Sequence, residues 1–228
     1  MNHTPLLELR GAARARNEAG VCNRVADLSL TVAAKEVVAL TGEEGCGKNL
    51  MLRLLGLLEP PDSGEVYFEG EPTAELTDDA RIELRSKRCG YVLSAPFLLA
   101  AFNAAENVAM PIFKISQLTP EQARERTEAL LRFVGLDGAA SERALPPALQ
   151  YRVALARALA NDPVALFVEN LDHLLSPDDV PDFRRLLHAA AKELGVAVVL
   201  SASPELSPVD GERRFEIADG RIICEVEP

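Results

Sequence analysis

No uninterrupted apolar run reaches the ~18 residues needed to cross a bilayer. The nearest approach, Tyr91 to Ala105, is broken by Pro96 and Asn103. Met1-Asn2-His3-Thr4-Pro5 has no basic segment leading into an apolar one, so no signal peptide is expected. A membrane role must therefore come through a partner. Basic excess is missing too: the net charge is −11 and the pI about 4.9, which argues against a nucleic-acid partner. Cys22, Cys46, Cys89 and Cys224 are scattered without a C-x-x-C pair, and read as reduced cytosolic thiols rather than a disulfide framework or zinc site. Internal repeats and low-complexity tracts are absent. What remains is a 228-residue chain, 48% hydrophobic and 26% charged. That is ordinary globular composition, long enough to bury roughly 70% or more of its extended surface without a covalent staple.

Apolar patterning predicts strands at Leu6 to Leu9, Ala26 to Val32 and Glu36 to Thr41, then a glycine-rich loop, Gly42 to Gly47. A leucine-lined helix follows and stops before Pro60-Pro61, and Glu65 to Phe68 alternates as a strand. Thr77 is placed to cap a helix reaching about Lys87, and Gly90 to Leu93 reads as a buried strand. Pro96 to about Ala160 looks almost wholly helical, with Thr119-Pro120-Glu121 opening one helix that Gly135 closes. Val164 to Val168 and Val196 to Leu200 are buried strands around a helix that starts at Ser176-Pro177-Asp178-Asp179 and ends at Gly195. Asp219-Gly220 marks a terminal hairpin. Buried strands alternating with helices predict an α/β fold with a mostly parallel sheet covered on both faces.

Gly42-Glu43-Glu44-Gly45-Cys46-Gly47-Lys48-Asn49 is G-x-x-x-x-G-K between a strand and a helix. Its glycines let successive N–H groups converge on an anion at a helix N-terminus, and Lys48 adds a cation for terminal phosphates. Cys46, beside that N-terminus, reads as an inert loop residue rather than a reactive thiol.

From this loop onward the sequence resembles the nucleotide-binding subunits of ATP-binding-cassette (ABC) transporters, most closely the lipoprotein-releasing and macrolide-export type. The resemblance covers nearly the whole chain. It rests on Leu58-Glu59-Pro60-Pro61-Asp62-Ser63-Gly64, Gly90-Tyr91-Val92, Ala105 to Pro111, Arg152 to Pro163 and Asp219-Gly220-Arg221-Ile222. It implies a P-loop NTPase core with an antiparallel β subdomain and an inserted helical subdomain. The chain would then be a single nucleotide-binding domain, with residues 1–94 and 160–228 as core and 95–159 helical.

Against that family the chemistry is depleted. The magnesium-ligating loop hydroxyl falls at Asn49, whose longer arm displaces a metal from octahedral geometry. The adenine-stacking aromatic falls near Ala15, with no aromatic residue before Tyr67; only Arg14 or Arg16 remains to stack there. The switch-loop glutamine aligns with Ser94, the metal-binding Asp-Glu pair with Glu169-Asn170, and the switch histidine with Ser203. Glu169 keeps a carboxylate for a metal-bound water, Asn170 offers no titratable base near pH 7, and Asp172 lies three residues past the metal-binding position. The signature loop reads Leu145-Pro146-Pro147-Ala148-Leu149, where prolines replace N–H donors and open a helix instead.

Lost base stacking costs ~1–3 kcal/mol, and each loop glutamate near phosphate ~1–4 kcal/mol. A combined loss of ~2–5 kcal/mol weakens ATP binding roughly 30- to 4,000-fold. Glu43 or Glu44 is expected to pair with Lys48 in the empty site. The resemblance also implies a membrane permease partner, a homodimer or a heterodimer with an intact ATPase, weak ATP and magnesium binding, and a cytoplasmic position on the inner face of the plasma membrane. Phe97, Leu98, Leu99 and Phe102 fall where such subunits receive the permease, and either face it or pack within the helical block. Glu121, Arg124, Glu125 and Glu128 read as a solvated helix face. The leading expectation is a degenerate structural or regulatory subunit. The alternatives are a slow transport ATPase with an unrecognised base, and a soluble interaction module.

Overall fold

The computed structural model describes residues 4–18, 21–136 and 144–226; of residues 16–18, 21–23 and 174 only the backbone placement is used. Two sheets organise it. A four-stranded antiparallel sheet has the order β2-β1-β4-β5, from β1 (Leu7–Glu18), β2 (Val21–Val32), β4 (Ser63–Phe68) and β5 (Glu71–Pro72). A six-stranded sheet has the order β10-β9-β3-β8-β7-β6, from β3 (Val37–Thr41), β6 (Cys89–Val92), β7 (Ala165–Val168), β8 (Ala197–Ala202), β9 (Glu212–Ala218) and β10 (Arg221–Val226). Within it β6, β7, β8, β3 and β9 are mutually parallel, and β10 closes the edge antiparallel to β9. In this sheet the β9–β10 link is a tight hairpin, with Asp219 and Gly220 at φ 49° and 75°, the conformation a two-residue turn between twisted strands requires.

The parallel strands are buried on both faces. In β7, Leu166 and Val168 enter one core while Ala165 and Phe167 enter the other; β3 and β8 alternate the same way. One face is covered by α1 (Lys48–Leu55) and the antiparallel sheet. The other is covered by α3 (Ala104–Ile115), α4 (Pro120–Phe133), α5 (Pro147–Ala158) and α7 (Val180–Ala189). The outlying α2 (Asp78–Arg88) buries none of its residues. A short α6 (Leu171–Leu174), absent from the sequence expectation, follows β7.

Several expected signals act as their chemistry demands. Thr77 Oγ1 accepts from Ala80 N, and Thr119 with Gln122 forms a reciprocal cap around Pro120. Gly195 at φ 77° ends the π-helical turn Ala190–Leu194 that extends α7. Two expectations need correction. The first strand runs on to Glu18, because β1 and β2 form a long hairpin with register shifts about Gly11 and Ala12. Residues 95–103 are not helical. Arg157 there donates to the carbonyls of Pro96 (2.6 Å) and Phe97 (2.7 Å), and buried Asn107 bonds Leu99 twice and Phe102 once.

Candidate functional site

The site lies at the carboxyl ends of the parallel strands, where open α/β sheets bind ligands. β3 turns at Gly42, whose added Cβ would stand 2.2 Å from Ile217 O. Gly47, at φ 101°, ends the loop and precedes Lys48, the first residue of α1; a Cβ there would meet Arg24 O at 2.7 Å. Gly45 takes φ 78°. The loop is also pinned from behind, because Gly220 N donates to Cys46 O (2.8 Å) and Ala26 N to Gly220 O (2.9 Å). Asp219-Gly220 thus does more than turn the hairpin: it ties the phosphate loop to β2. Cys46 is buried.

Lys48 is buried, and its Nζ donates to Gly42 O (2.8 Å) and Glu43 O (3.0 Å). The expected pairing with Glu43 or Glu44 does not form; both glutamates are exposed and the loop's own carbonyls satisfy the ammonium. Those carbonyls lie inside the curve of the loop, so a buried ammonium reaches them without drawing in a carboxylate.

Beyond Lys48 a chain of hydrogen bonds crosses the sheet in strand order. From α1 behind β3, Asn49 Oδ1 accepts from Ser201 Oγ of β8 at 2.6 Å. Ser201 Oγ accepts from Asn170 N, just past β7, at 2.9 Å. Asn170 takes a left-handed conformation (φ 49°), and its Nδ2 donates to Ser94 Oγ, beyond β6, at 3.2 Å. Asn49 Nδ2 donates to Asn170 Oδ1 at 3.0 Å. Ser94 Oγ in turn donates to Glu169 Oε2 at 3.1 Å, and Arg53 Nε to Glu169 Oε1 at 2.9 Å. Glu169 is 3% exposed.

The structure therefore brings together Ser94, Asn49, Glu169 and Asn170 from the sequence-predicted set, and adds Ser201 and Arg53. Arg53 was within reach of the sequence, since Asn49 and Arg53 stand one helical turn apart on a common face; Ser201 had no local signal. A pocket of about 70 Å³ opens here, lined by Glu44, Gly45, Gly47, Lys48, Asn49, Asn170 and His173. His173 was also unforeseen. Ser203 stands apart from this chain of bonds: its N–H donates to both Asp172 carboxylate oxygens (3.1 and 3.0 Å), and its side chain holds the Glu205 carboxyl below the usual range.

Within Leu145 to Leu149, Pro146 and Pro147 are exposed while the flanking residues turn toward the core. Leu145 is buried, Ala148 and Leu149 pack on the core, and Pro146 O accepts from both Leu149 N and Gln150 N at 3.0 Å. Pro147 is the first residue of α5, as the sequence predicts. Near Ala15, Arg14 is committed: its Nη1 donates to Asp62 Oδ1 (2.5 Å) and its Nε stands 3.7 Å from Glu59. Ala15 N donates to Asp62 Oδ2 at 2.9 Å. The side chains of Arg16 and Cys22 lie outside the described residues. Phe97, Leu99 and Phe102 are 65%, 42% and 38% exposed, whereas Leu98 packs on the core. Met110 and Phe113 of α3 are exposed as well. Glu121, Arg124, Glu125 and Glu128 face solvent as expected.

Among known proteins, a family model described as ABC transporter matches residues 25–170. The lipoprotein-releasing system ATP-binding protein LolD of Hyphomonas neptunium is 33% identical over 226 residues, covering 98% of this chain and 99% of that protein. LolD of Bordetella pertussis is 35% identical over 203 residues, covering 87% and 86%. Among solved structures, the ATP-binding cassette MJ0796, in a dimeric post-hydrolysis state bound to ADP and Pi, is similar at a TM-score of 0.84. It is 26% identical, with 97% of this chain and 98% of that one covered.

Proposed function

This chain belongs to the ABC transporter family, as an ATP-binding subunit of the lipoprotein-releasing type, and from that membership we propose that it binds ATP weakly, hydrolyses little, and serves as a structural or regulatory half of a transport complex. The observation that carries this reading is Asn170. It stands at the mouth of the phosphate loop with its carboxamide bonded to Asn49 and Ser94. A carboxamide cannot take a proton from an attacking water, and a positioned base is worth ~10²–10⁴-fold. The nearest buried carboxylate, Glu169, is ion-paired to Arg53. Neither Ala202 nor Ser203, at the end of β8, carries an imidazole. Pro146 and Pro147 offer no N–H to a nucleotide across a dimer.

The exposed Phe97, Leu99 and Phe102 form the surface we assign to a membrane permease. Among the described residues no helix is long and apolar enough to cross a membrane; in the proposed arrangement attachment runs through that partner, on the cytoplasmic side. The nucleotide-bound assembly is a dimer, with a second copy or with an intact cassette. ATP titration of the purified chain against a Lys48→Ala control tests the nucleotide part. Weak binding abolished by the substitution, with turnover at background, is expected; turnover at ordinary transport-ATPase rates, ~1 s⁻¹ or more, overturns it.

A second reading, a slow transport ATPase, is favoured by His173. This imidazole lines the same small pocket as Lys48 and Asn170, and its ring nitrogens can accept and donate a proton. Permease-stimulated turnover lost in both Lys48→Ala and His173→Ala would select it.

A further inference from the structure

ABC cassettes are expected to take nucleotide with a divalent cation, and the residues at that position in this chain do not suit one. A magnesium site needs free, preferably anionic oxygens in near-octahedral array. Here the side-chain oxygens at the family's cation-binding positions are already engaged by donors. Asn49 Oδ1 accepts from Ser201, Asn170 Oδ1 from Asn49, and Ser94 Oγ from Asn170. Glu169 is the carboxylate at the centre of the group, and its two oxygens go separately to Arg53 Nε at 2.9 Å and Ser94 Oγ at 3.1 Å. Nothing in this group is left wanting a partner: of the buried side-chain polar atoms without one among the described residues, none belongs to it.

Charge points the same way as geometry. The Arg53 guanidinium already neutralises Glu169, and its Nη1 stands 3.6 Å from Glu59. A cation inserted beside Glu169 would lie next to that fixed positive group, and would have to break bonds that satisfy both partners. Glutamate in place of the family's aspartate supplies the extra methylene that carries the carboxylate between Arg53 and Ser94. Asparagine in place of the loop hydroxyl supplies the amide that bridges Ser201 and Asn170.

We propose that the cation position of this site is closed by the chain's own side chains, with Arg53 standing where a divalent ion would be, so that ATP binds as its metal-free anion on Lys48 and the loop N–H groups. This rests on the reading of Gly42–Lys48 as a nucleotide site.

The test is calorimetric titration of the purified full chain with ATP, in EDTA and in excess magnesium. The expected result is binding in EDTA that magnesium does not tighten, and that weakens as magnesium sequesters the free nucleotide. The repaired chain Asn49→Ser/Glu169→Asp, and Asn49→Ser alone should the double variant fold poorly, are expected to gain a preference for magnesium of about tenfold or more. Wild-type binding that is tighter in magnesium than in EDTA overturns the inference and leaves the ATP-binding reading standing. A folded repaired chain without magnesium preference overturns the assignment to these side chains. No binding in either condition overturns both the inference and the nucleotide reading beneath it.

Discussion

Asn107 offers a quantitative handle on the surface assigned to the permease. It lies in the first turn of α3, 2% exposed, and its side chain makes four hydrogen bonds to the preceding loop and cap. Oδ1 accepts from Leu99 N at 2.7 Å; Nδ2 donates to Leu99 O at 3.2 Å, Phe102 O at 3.2 Å and Asn103 O at 2.9 Å. One carboxamide thus fixes the backbone from which Phe97, Leu99 and Phe102 project. Asn107→Leu keeps the size and removes all four. Two N–H donors serve the three carbonyls, so at ~1 kcal/mol net for each neutral bond the upper figure is about 3 kcal/mol. Asn103 O retains the backbone bond from Asn107 N, and the freed Leu99 and Phe102 groups reach water if the loop opens. Local opening therefore limits the loss to about 2–3 kcal/mol.

Two measurements are paired. Urea unfolding should show that loss as a lowered midpoint with little change in slope. Hydrogen exchange at the Leu99 amide should accelerate by roughly 30- to 150-fold, the same free energy expressed as an opening equilibrium. If the proposed permease surface is right, binding to that partner should fall with the loop, although Asn107 itself is buried. Asn107→Asp should be worse for stability, since it sets a carboxylate against three carbonyl oxygens. A stability loss with Leu99 protection unchanged would refute this account, because the cost would then lie in the helix or the core.

Gly90→Ala should destabilise the core. The added Cβ would stand 2.4 Å from Ala158 O, so α5 and β6 must part, costing about 1–3 kcal/mol or a Tm fall of roughly 2–12 °C by calorimetry. Cysteine labelling should be selective. Burial pushes the Cys89 thiol up to about 12, so iodoacetamide near pH 8.5 should spare Cys89 and reach the exposed Cys224; mass spectrometry showing rapid native labelling of Cys89 would contradict the packing of β6. Asp62 gives an acid signature. The Ala15 backbone N–H, then Arg14, hold its carboxyl below the usual range. Its contribution is thus complete above the unfolded carboxylate pKa of about 3.9 and disappears as pH falls through the lower folded value. Urea midpoints for Asp62→Asn should match the wild type's pH dependence above about pH 5 and be flatter below about pH 4.

Much of this molecule was legible because local chemistry and tertiary demand coincide. Thr77 and Thr119 cap where a cap is needed, Gly42 and Gly47 stand where a Cβ would strike backbone, and Pro147 opens a helix. The β1–β2 hairpin was harder to read, since Gly11-Ala12-Ala13-Arg14 breaks polar–apolar alternation just where the register shifts. Residues 95–103 misled for the opposite reason. They are apolar enough for a helix, yet Asn107 and Arg157 claim their carbonyls from afar. The site shows most clearly where sequence reading stops. The departures at Asn49, Ser94 and Asn170 are each legible alone as a loss, and Glu169 as a retained carboxylate. Their mutual bonding depends on the order β3-β8-β7-β6 and on the register that sets Leu40 beside Ser201 and Val168 beside Leu200. Partners in that bonding lie up to 152 residues apart, beyond any local pattern. With the topology in hand, the same substitutions form one compensated set: lengthening the carboxylate at 169 is neutralised by Arg53, and the amide at 49 is bonded by Ser201 and Asn170. Reverting one position alone should therefore strand some of its partners, and recover less of a cation site than changing them together.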